Sequence, residues 1–278
     1  MSLQDLKAFV IALLSLLCLP PSLASEIQGI VRVGATDRLT NVTVVAQLQY
    51  PPSTRLSTVT GSSGTFSIQV DDGAWSVFLD SAEPNARGLV VPAPRLVYVN
   101  NSSPYIEIVA TRPDAALSGY VRDETGSGVS NVVVTAIENI AGNNFSTLTD
   151  ANGFYQLALS SSFIWQVGIA PASLSELKLL SSGMFGISFY PAETAVRDIQ
   201  VFRIKHTLNM TVVDESGAPV SGASATVNAY LGNNIPFELS PPFNGNSAKL
   251  ELPTGDWIAK VTVPDGSVLP RRFHVTNS

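Results

Sequence analysis

The chain has 278 residues, enough for two or three domains, and only 14% of them are charged, against about 25% in ordinary soluble domains. Lys and Arg number 16 and Asp and Glu 22, a net charge of −6; a phosphate-binding surface needs clustered cations, so no nucleic-acid partner is expected. The single cysteine, Cys18, lies inside an N-terminal apolar run, so disulfides do not hold the mature domains together and each needs its own apolar core.

Lys7 precedes the apolar run, residues 8–19, which Pro20 and Pro21 end. Ser22-Leu23-Ala24 then places small residues at the two positions a signal peptidase reads. This predicts a secretory signal over residues 1–24, a mature chain starting at Ser25, and a secreted, periplasmic or cell-surface location. The run is shorter than the ~20 residues a bilayer needs. No later stretch is apolar enough to cross, so no transmembrane segment is expected after cleavage. Leu17 stands before Cys18, where a lipoprotein signal needs a small residue.

Beyond the signal the chain repeats itself. Gly29 in I-Q-G-I-V and Gly119 in L-S-G-Y-V are 90 residues apart, and N-V-T-V-V-A from Asn41 matches N-V-V-V-T-A from Asn131 at the same offset. L-N-M-T-V-V-D-E-S-G from Leu208 matches L-S-G-Y-V-R-D-E-T-G from Leu117 at an offset of 91. Trp75, Trp165 and Trp257 recur at intervals of 90 and 92.

Each copy has one plan. A first strand (27–33, 117–122, 208–213) ends in a turn, Asp123 to Gly126 in the second copy and Asp214 to Gly217 in the third. Asp caps its own backbone there and Gly accepts positive φ. A second strand follows (42–49, 132–138, 223–230), then a variable link rich in Asn, Gly, Pro and Ser. A third strand (66–70, 155–159, 248–252) turns tightly into the strand that carries the tryptophan. Closing strands are expected at 96–99 with 106–110 and at 187–190 with 199–204; the third copy is shortened, with 272–276 as its last strand. Residues 173–180 are the one helical candidate, too short to stand alone. Short alternating strands between turn signals predict an all-β chain. The expected fold is three tandem Ig- or transthyretin-like Greek-key β-sandwiches after the signal peptide, at 25–114, 115–206 and 207–278. The joins near Pro113 and Lys205 are only a few residues long, which predicts a semi-rigid rod.

The pattern G-x-V-x-D-x-x-G-x-x-V, then T-D-x-x-G-x-Y and a G-x-aromatic strand, resembles carboxypeptidase regulatory-like domains. These are transthyretin-like (prealbumin-like) sandwiches grouped with starch-binding-domain-like folds and akin to the B-type repeats of collagen adhesins. The second copy carries the pattern on Gly119, Val121, Asp123, Gly126, Val129, Val132, Val134, Thr149, Asp150, Gly153 and Tyr155. The first keeps Gly29, Val31, Val42, Gly64 and Phe66, with Val33 and Thr36 at the turn positions. The third keeps Val212, Asp214, Gly217, Val220 and Ala223, has Met210 for the glycine, and lacks T-D-x-x-G. The resemblance implies a fold far more than a function, since such domains accompany many proteins. Adhesin repeats of this kind often carry a Lys-to-Asn cross-link from the first strand. Here Arg32 and Arg122 stand on the first two such strands and no base on the third; guanidinium is no amine nucleophile, so no cross-link is expected.

Residues that could carry chemistry read more simply as structure. Asp150-Ala-Asn-Gly153 lacks the oxygen ligands of a calcium loop and reads as a hairpin turn. Asp123-Glu124 and Asp214-Glu215 are strand-end neighbours that point apart. The tryptophans recur at one position inside strands, as core residues do. His206 and His274 form no zinc pattern, and the serines have no His-Asp relay. No catalytic residue, cofactor or metal is expected, and the chain is not read as an enzyme. Aromatics unique to one copy and expected in loops, Phe185, Phe189 and Tyr190 in the long link of the second copy and Phe237 and Phe243 in the third, are the candidate ligand-binding residues. The expected role is a non-catalytic spacer or adhesion module with a protein or polysaccharide partner. A carbohydrate-binding protein using these aromatics is the alternative, and an accessory subunit of a secreted enzyme or transporter a second.

Overall fold

The computed structural model describes residues 25–231 and 235–276, so the expected signal segment with Cys18 lies outside the described residues. The fold is all-β. By compactness the chain forms two units: Met1–Arg112 with Asn139–Asn143, and Pro113–Glu138 with Asn144–Ser278.

The first unit holds β1 (Glu26–Val33), β2 (Asp37–Arg38), β3 (Thr43–Leu48), β4 (Arg55–Val59), β5 (Thr65–Gln69), β6 (Gly73–Leu79), helix α1 (Ala82–Ala86), β7 (Arg95–Val99) and β8 (Tyr105–Ala110). In one sheet β1 lies between antiparallel β5 and parallel β8, with β2 on its end; the other sheet runs β4-β3-β6-β7. Alternation assigns the faces. In T-F-S-I-Q of β5, Phe66 and Ile68 are buried and the residues around them exposed. The inner faces close on one cluster that includes Ile27, Val31, Val44, Trp75 and Ile108. Asn143 completes this unit. Its side chain accepts from Val91 N (2.9 Å) and Asn85 Nδ2 (3.0 Å) and donates to Val91 O (3.0 Å).

The second unit begins with β9 (Ala115–Arg122), β10 (Val133–Ile137), β11 (Asn144–Leu148), β12 (Phe154–Leu159), β13 (Trp165–Ile169), α2 (Pro171–Glu176), β14 (Leu179–Ser181), β15 (Phe185–Ile187), β16 (Thr194–Val196) and β17 (Ile199–Arg203). Sheets β11-β10-β13-β15 and β12-β9-β17-β14 enclose a cluster around Trp165 and Tyr155, and β16 and β17 both run parallel to β9. The unit continues with β18 (His206–Thr211), β19 (Ser224–Leu231), β20 (Ile235–Leu239), β21 (Phe243–Asn244), β22 (Ser247–Leu252), β23 (Gly255–Thr262) and β24 (Val268–Val275). Here β18-β22-β21 and β20-β19-β23-β24 enclose a third cluster around Trp257.

The three indoles do the same work. Each is buried, and each Nε1 donates to a carbonyl just before its own strand: Asp71 O at 2.9 Å, Ser160 O at 2.9 Å and Pro253 O at 3.3 Å. A large apolar ring fills the core while the turn satisfies its one polar atom. Another repeated landmark also has a backbone cause. Asn41 (φ 54°), Asn131 (φ 57°) and Gly222 (φ 79°) stand just before the second strand in left-handed geometry, which Asn and Gly accept most readily.

Several expectations need correcting. The variable link contains a strand in every copy (β4, β11, β20), each paired with its second strand. The helix expected at 173–180 is Pro171–Glu176, because the chain turns at Leu177 into β14. The closing strand expected at 187–190 is Phe185–Ile187, and the last strand of the third copy starts earlier, at Val268.

The missing glycine of the third copy has a packing explanation. Gly29 stands opposite Phe66 and Gly119 opposite Tyr155. A Cβ on Gly29 would collide with the Ile106 carbonyl of parallel β8 and with the Phe66 ring; one on Gly119 would collide with the Arg197 carbonyl, between β16 and β17, and press tightly on the Tyr155 ring. Tyr155 donates its hydroxyl to Arg197 O at 2.7 Å, and burial pushes its phenol up to about 12. In the third copy Met210 stands opposite Ala248. The large and small partners have changed strands. Among the described residues β18 pairs with β22 alone.

Inside the second unit, the turn Asp123-Glu124 grips the segment leading to β18. Asp123 is buried; it accepts from Thr125 N, Thr125 Oγ1 and Ser127 N and pairs with Arg203 Nε at 3.0 Å. Glu124 takes Arg203 N at 3.1 Å and Lys205 Nζ at 3.0 Å. Phe202 of β17 packs edge-on against Phe237 of β20, 5.5 Å between centroids, and belongs to the third cluster.

Candidate ligand-binding face

The outer face of the sheet β20-β19-β23-β24 follows from strand parity. In S-A-T-V-N-A-Y-L of β19, Ala225, Val227, Ala229 and Leu231 are buried, so Thr226, Asn228 and Tyr230 point outward. In β23, Trp257 and Ala259 turn inward, leaving Asp256, Ile258 and Lys260 on the outer face. The same alternation sets Arg272 and His274 of β24 and Pro236 and Glu238 of β20 outward.

Register lines these side chains up in rows. Glu238 and Ile258 flank Asn228, and Arg272 lies beyond Ile258. In the next row Pro236 is opposite Tyr230, and Asp256 is opposite His274. His274 Nδ1 and Asp256 Oδ1 are 2.6 Å apart. The Tyr230 ring stands 72% exposed. A hollow of about 580 Å³ lies on its Asp256–Arg272–His274 side. One of about 540 Å³ lies on its Pro236–Glu238–Lys260 side, and Asn228, Tyr230 and Ile258 border both. The face offers one flat apolar ring within reach of an amide, two carboxylates, an imidazole and two cations.

The aromatics expected to bind a ligand are not brought together. Phe189 is 7% exposed in the second cluster and Phe237 is 7% exposed in the third. Neither ring presents a face to solvent, because each falls on the inward parity of its segment. Phe185 is half-buried against the second cluster, with the Arg197 guanidinium 5.3 Å above its ring. Phe243 is half-buried in β21. Tyr190 is 81% exposed in a turn where its own N–H donates to Glu193 Oε2.

The acidic pairs act as structure. Burial pushes the Asp123 carboxyl up, but hydrogen bonds from Thr125 and Arg203 outweigh it and hold the group below the usual carboxylate range. Glu124 is likewise lowered: burial opposes, and the Arg203 N–H and Lys205 prevail. Asp214 is lowered by the Ser216 hydroxyl and the Ala218 N–H. Asp150 accepts from Asn152 N and Phe154 N, both at 2.8 Å, closing its hairpin. Among the described residues no group of three or more His, Cys, Asp or Glu could hold a metal ion, and no helix is long and apolar enough to cross a membrane.

Tyr230 escapes a search for binding aromatics in loops, because it lies in the second strand of its copy. The signal was present in the parity of its own strand, since Ala225, Val227 and Ala229 fix the inward phase and Tyr230 is out of it.

No protein-family model matches the chain, and no curated protein matches it. Among solved structures it is similar to the TIE protein of Bacillus anthracis at 16% identity, covering 90% of this chain and 48% of that one, TM-score 0.30. The chain thus spans about half the length of that protein. It is similar to the minor pilin of Streptococcus agalactiae at 11% identity, covering 69% of this chain and 100% of that one, TM-score 0.40. A DUF3823 family protein from Bacteroides ovatus is 18% identical, covering 58% of this chain and 96% of that one, TM-score 0.26. Likenesses this distant carry no argument about ligand or activity.

Proposed function

We propose that the chain is an exported, non-catalytic interaction protein. In this reading residues 1–24 are a cleaved signal, and the segments 25–114, 115–206 and 207–278 are tandem sandwiches of the carboxypeptidase regulatory-like kind. The first two set distance, and the third presents a binding face at the surface of the cell or beyond it. One observation carries the reading: an exposed tyrosine stands on a sheet face between two hollows, among side chains able to donate and accept hydrogen bonds. Exposed aromatic rings of this kind are the common anchors of binding surfaces. The counterparts of Tyr230 in the other copies, counted from the tryptophan partner, are Gln49 and Asn139, so an aromatic stands at this position in one copy alone.

The test is a pull-down from the native secretome and cell envelope with the mature chain and with Tyr230→Ala. A binder recovered by the first and lost with the second is the expected result. Identical recovery by both would overturn the reading of this face.

A further inference from the structure

We propose that the face astride Tyr230 binds an uncharged polysaccharide chain. This rests on the reading of the face as a binding surface and adds the chemical class of its ligand.

The ligand must match a surface with one ring and many planar polar groups. A sugar ring has an apolar C–H face, which suits the exposed Tyr230 ring. Its rim of hydroxyls both donates and accepts, which suits the Asn228 amide, the Asp256 carboxylate and the Arg272 guanidinium. A peptide strand would seek a free sheet edge or several apolar pockets. Here the site lies on a face, and beside Tyr230 its apolar surface comes from the half-buried Ile258 and the exposed Pro236 and forms no row of separate pockets.

Charge narrows the class. Asp256 and Glu238 are balanced by Arg272 and Lys260 across the two hollows. The face therefore has no surplus cation to attract a sulfated or uronic acid polymer, and the chain as a whole carries −6. Length points to a polymer and not a single sugar. The two hollows meet at Tyr230 and Asn228 and cross all four strands, about 14 Å at a spacing of ~4.8 Å per strand. That leaves room for sugar units on both sides of the one that stacks.

Affinity electrophoresis of the mature chain through gels holding α-glucan, β-glucan, mannan, xylan, alginate or heparin tests this. The expected result is retardation by at least one of the four neutral polymers and not by the two acidic ones. Retardation should weaken at least about tenfold in Tyr230→Ala, the factor that 1.4 kcal/mol of lost stacking gives, and also weaken in Arg272→Ala. It should be unchanged in Tyr98→Ala, which removes an exposed aromatic from the first unit. Unaltered circular dichroism melts would show each variant folded. Retardation by none of the neutral polymers, by acidic polymers alone, or to the same degree in Tyr230→Ala, would overturn the proposal. A protein captured through Tyr230 with no sugar bound would end the polysaccharide inference while leaving the binding-face reading intact.

Discussion

Single side chains decide how each sandwich closes. Trp165 is completely buried and its indole N–H is satisfied by Ser160 O. Trp165→Ala is expected to cost about 3–5 kcal/mol, measured by urea unfolding of the whole chain. Gly119 is held by a different constraint, since a Cβ there meets the Arg197 carbonyl. Gly119→Ala is expected to destabilise by about 1–3 kcal/mol, as overpacking against backbone does; an unchanged melt would show that the segment at Arg197 yields. The Asp123–Glu124 clamp gives a pH dependence with a definite sign. Both carboxyls are lowered in the folded chain. Their contribution is therefore full above the ordinary carboxylate value of about 4 and is lost as pH falls through the lowered values. Thermal midpoints should be flat from neutrality to about pH 5 and drop below about pH 4. Asp123→Asn should lower the neutral midpoint and flatten that drop.

At the scale of elements, period-two alternation was legible where one face is strongly apolar. Phe66 with Ile68 and Leu157 with Leu159 mark strands that way, and these segments are strands. The links were not legible for the same reason. R-L-S-T-V of β4 and N-F-S-T-L of β11 half-bury only two residues each and leave Val59 and Leu148 exposed. An edge strand covered on one side lacks the pattern that marks a buried one. The candidate site was illegible for another reason: binding aromatics were expected in loops, and Tyr230 stands in a strand, where only its outward parity marks it. Phe145 and Leu148 test the strand assignment of β11 directly. Phe145 packs 5.7 Å from the Trp165 ring, and Phe145→Ala should cost about 2 kcal/mol, somewhat less than a fully buried aromatic. Leu148→Ser, three residues away on the solvent face, should stay within about 0.5 kcal/mol. Equal costs in a denaturant titration would contradict the alternation.

At the scale of the whole molecule, the sequence period hides a dependence between neighbours inside the second unit. The third cluster includes Phe202, with Leu180 packed against it, and both precede its own first strand. Its first strand also buries less. Ile27 and Leu117 are fully buried, whereas the matching Leu208 is only half-buried. A fragment beginning at residue 207 should therefore exchange its β23 amides faster than the full chain does, read by hydrogen-exchange mass spectrometry. Equal protection would mean that the third sandwich stands alone.

The swapped partners at the first strand also bear on how such a gene can change. Tandem copies invite unequal crossover, and most exchanges between similar segments are silent. Here a crossover falling between the first and third strands would join Met210 to an aromatic, or a glycine to Ala248. One product is overfilled and the other hollow. An exchange that carries the first and third strands of one copy together avoids both.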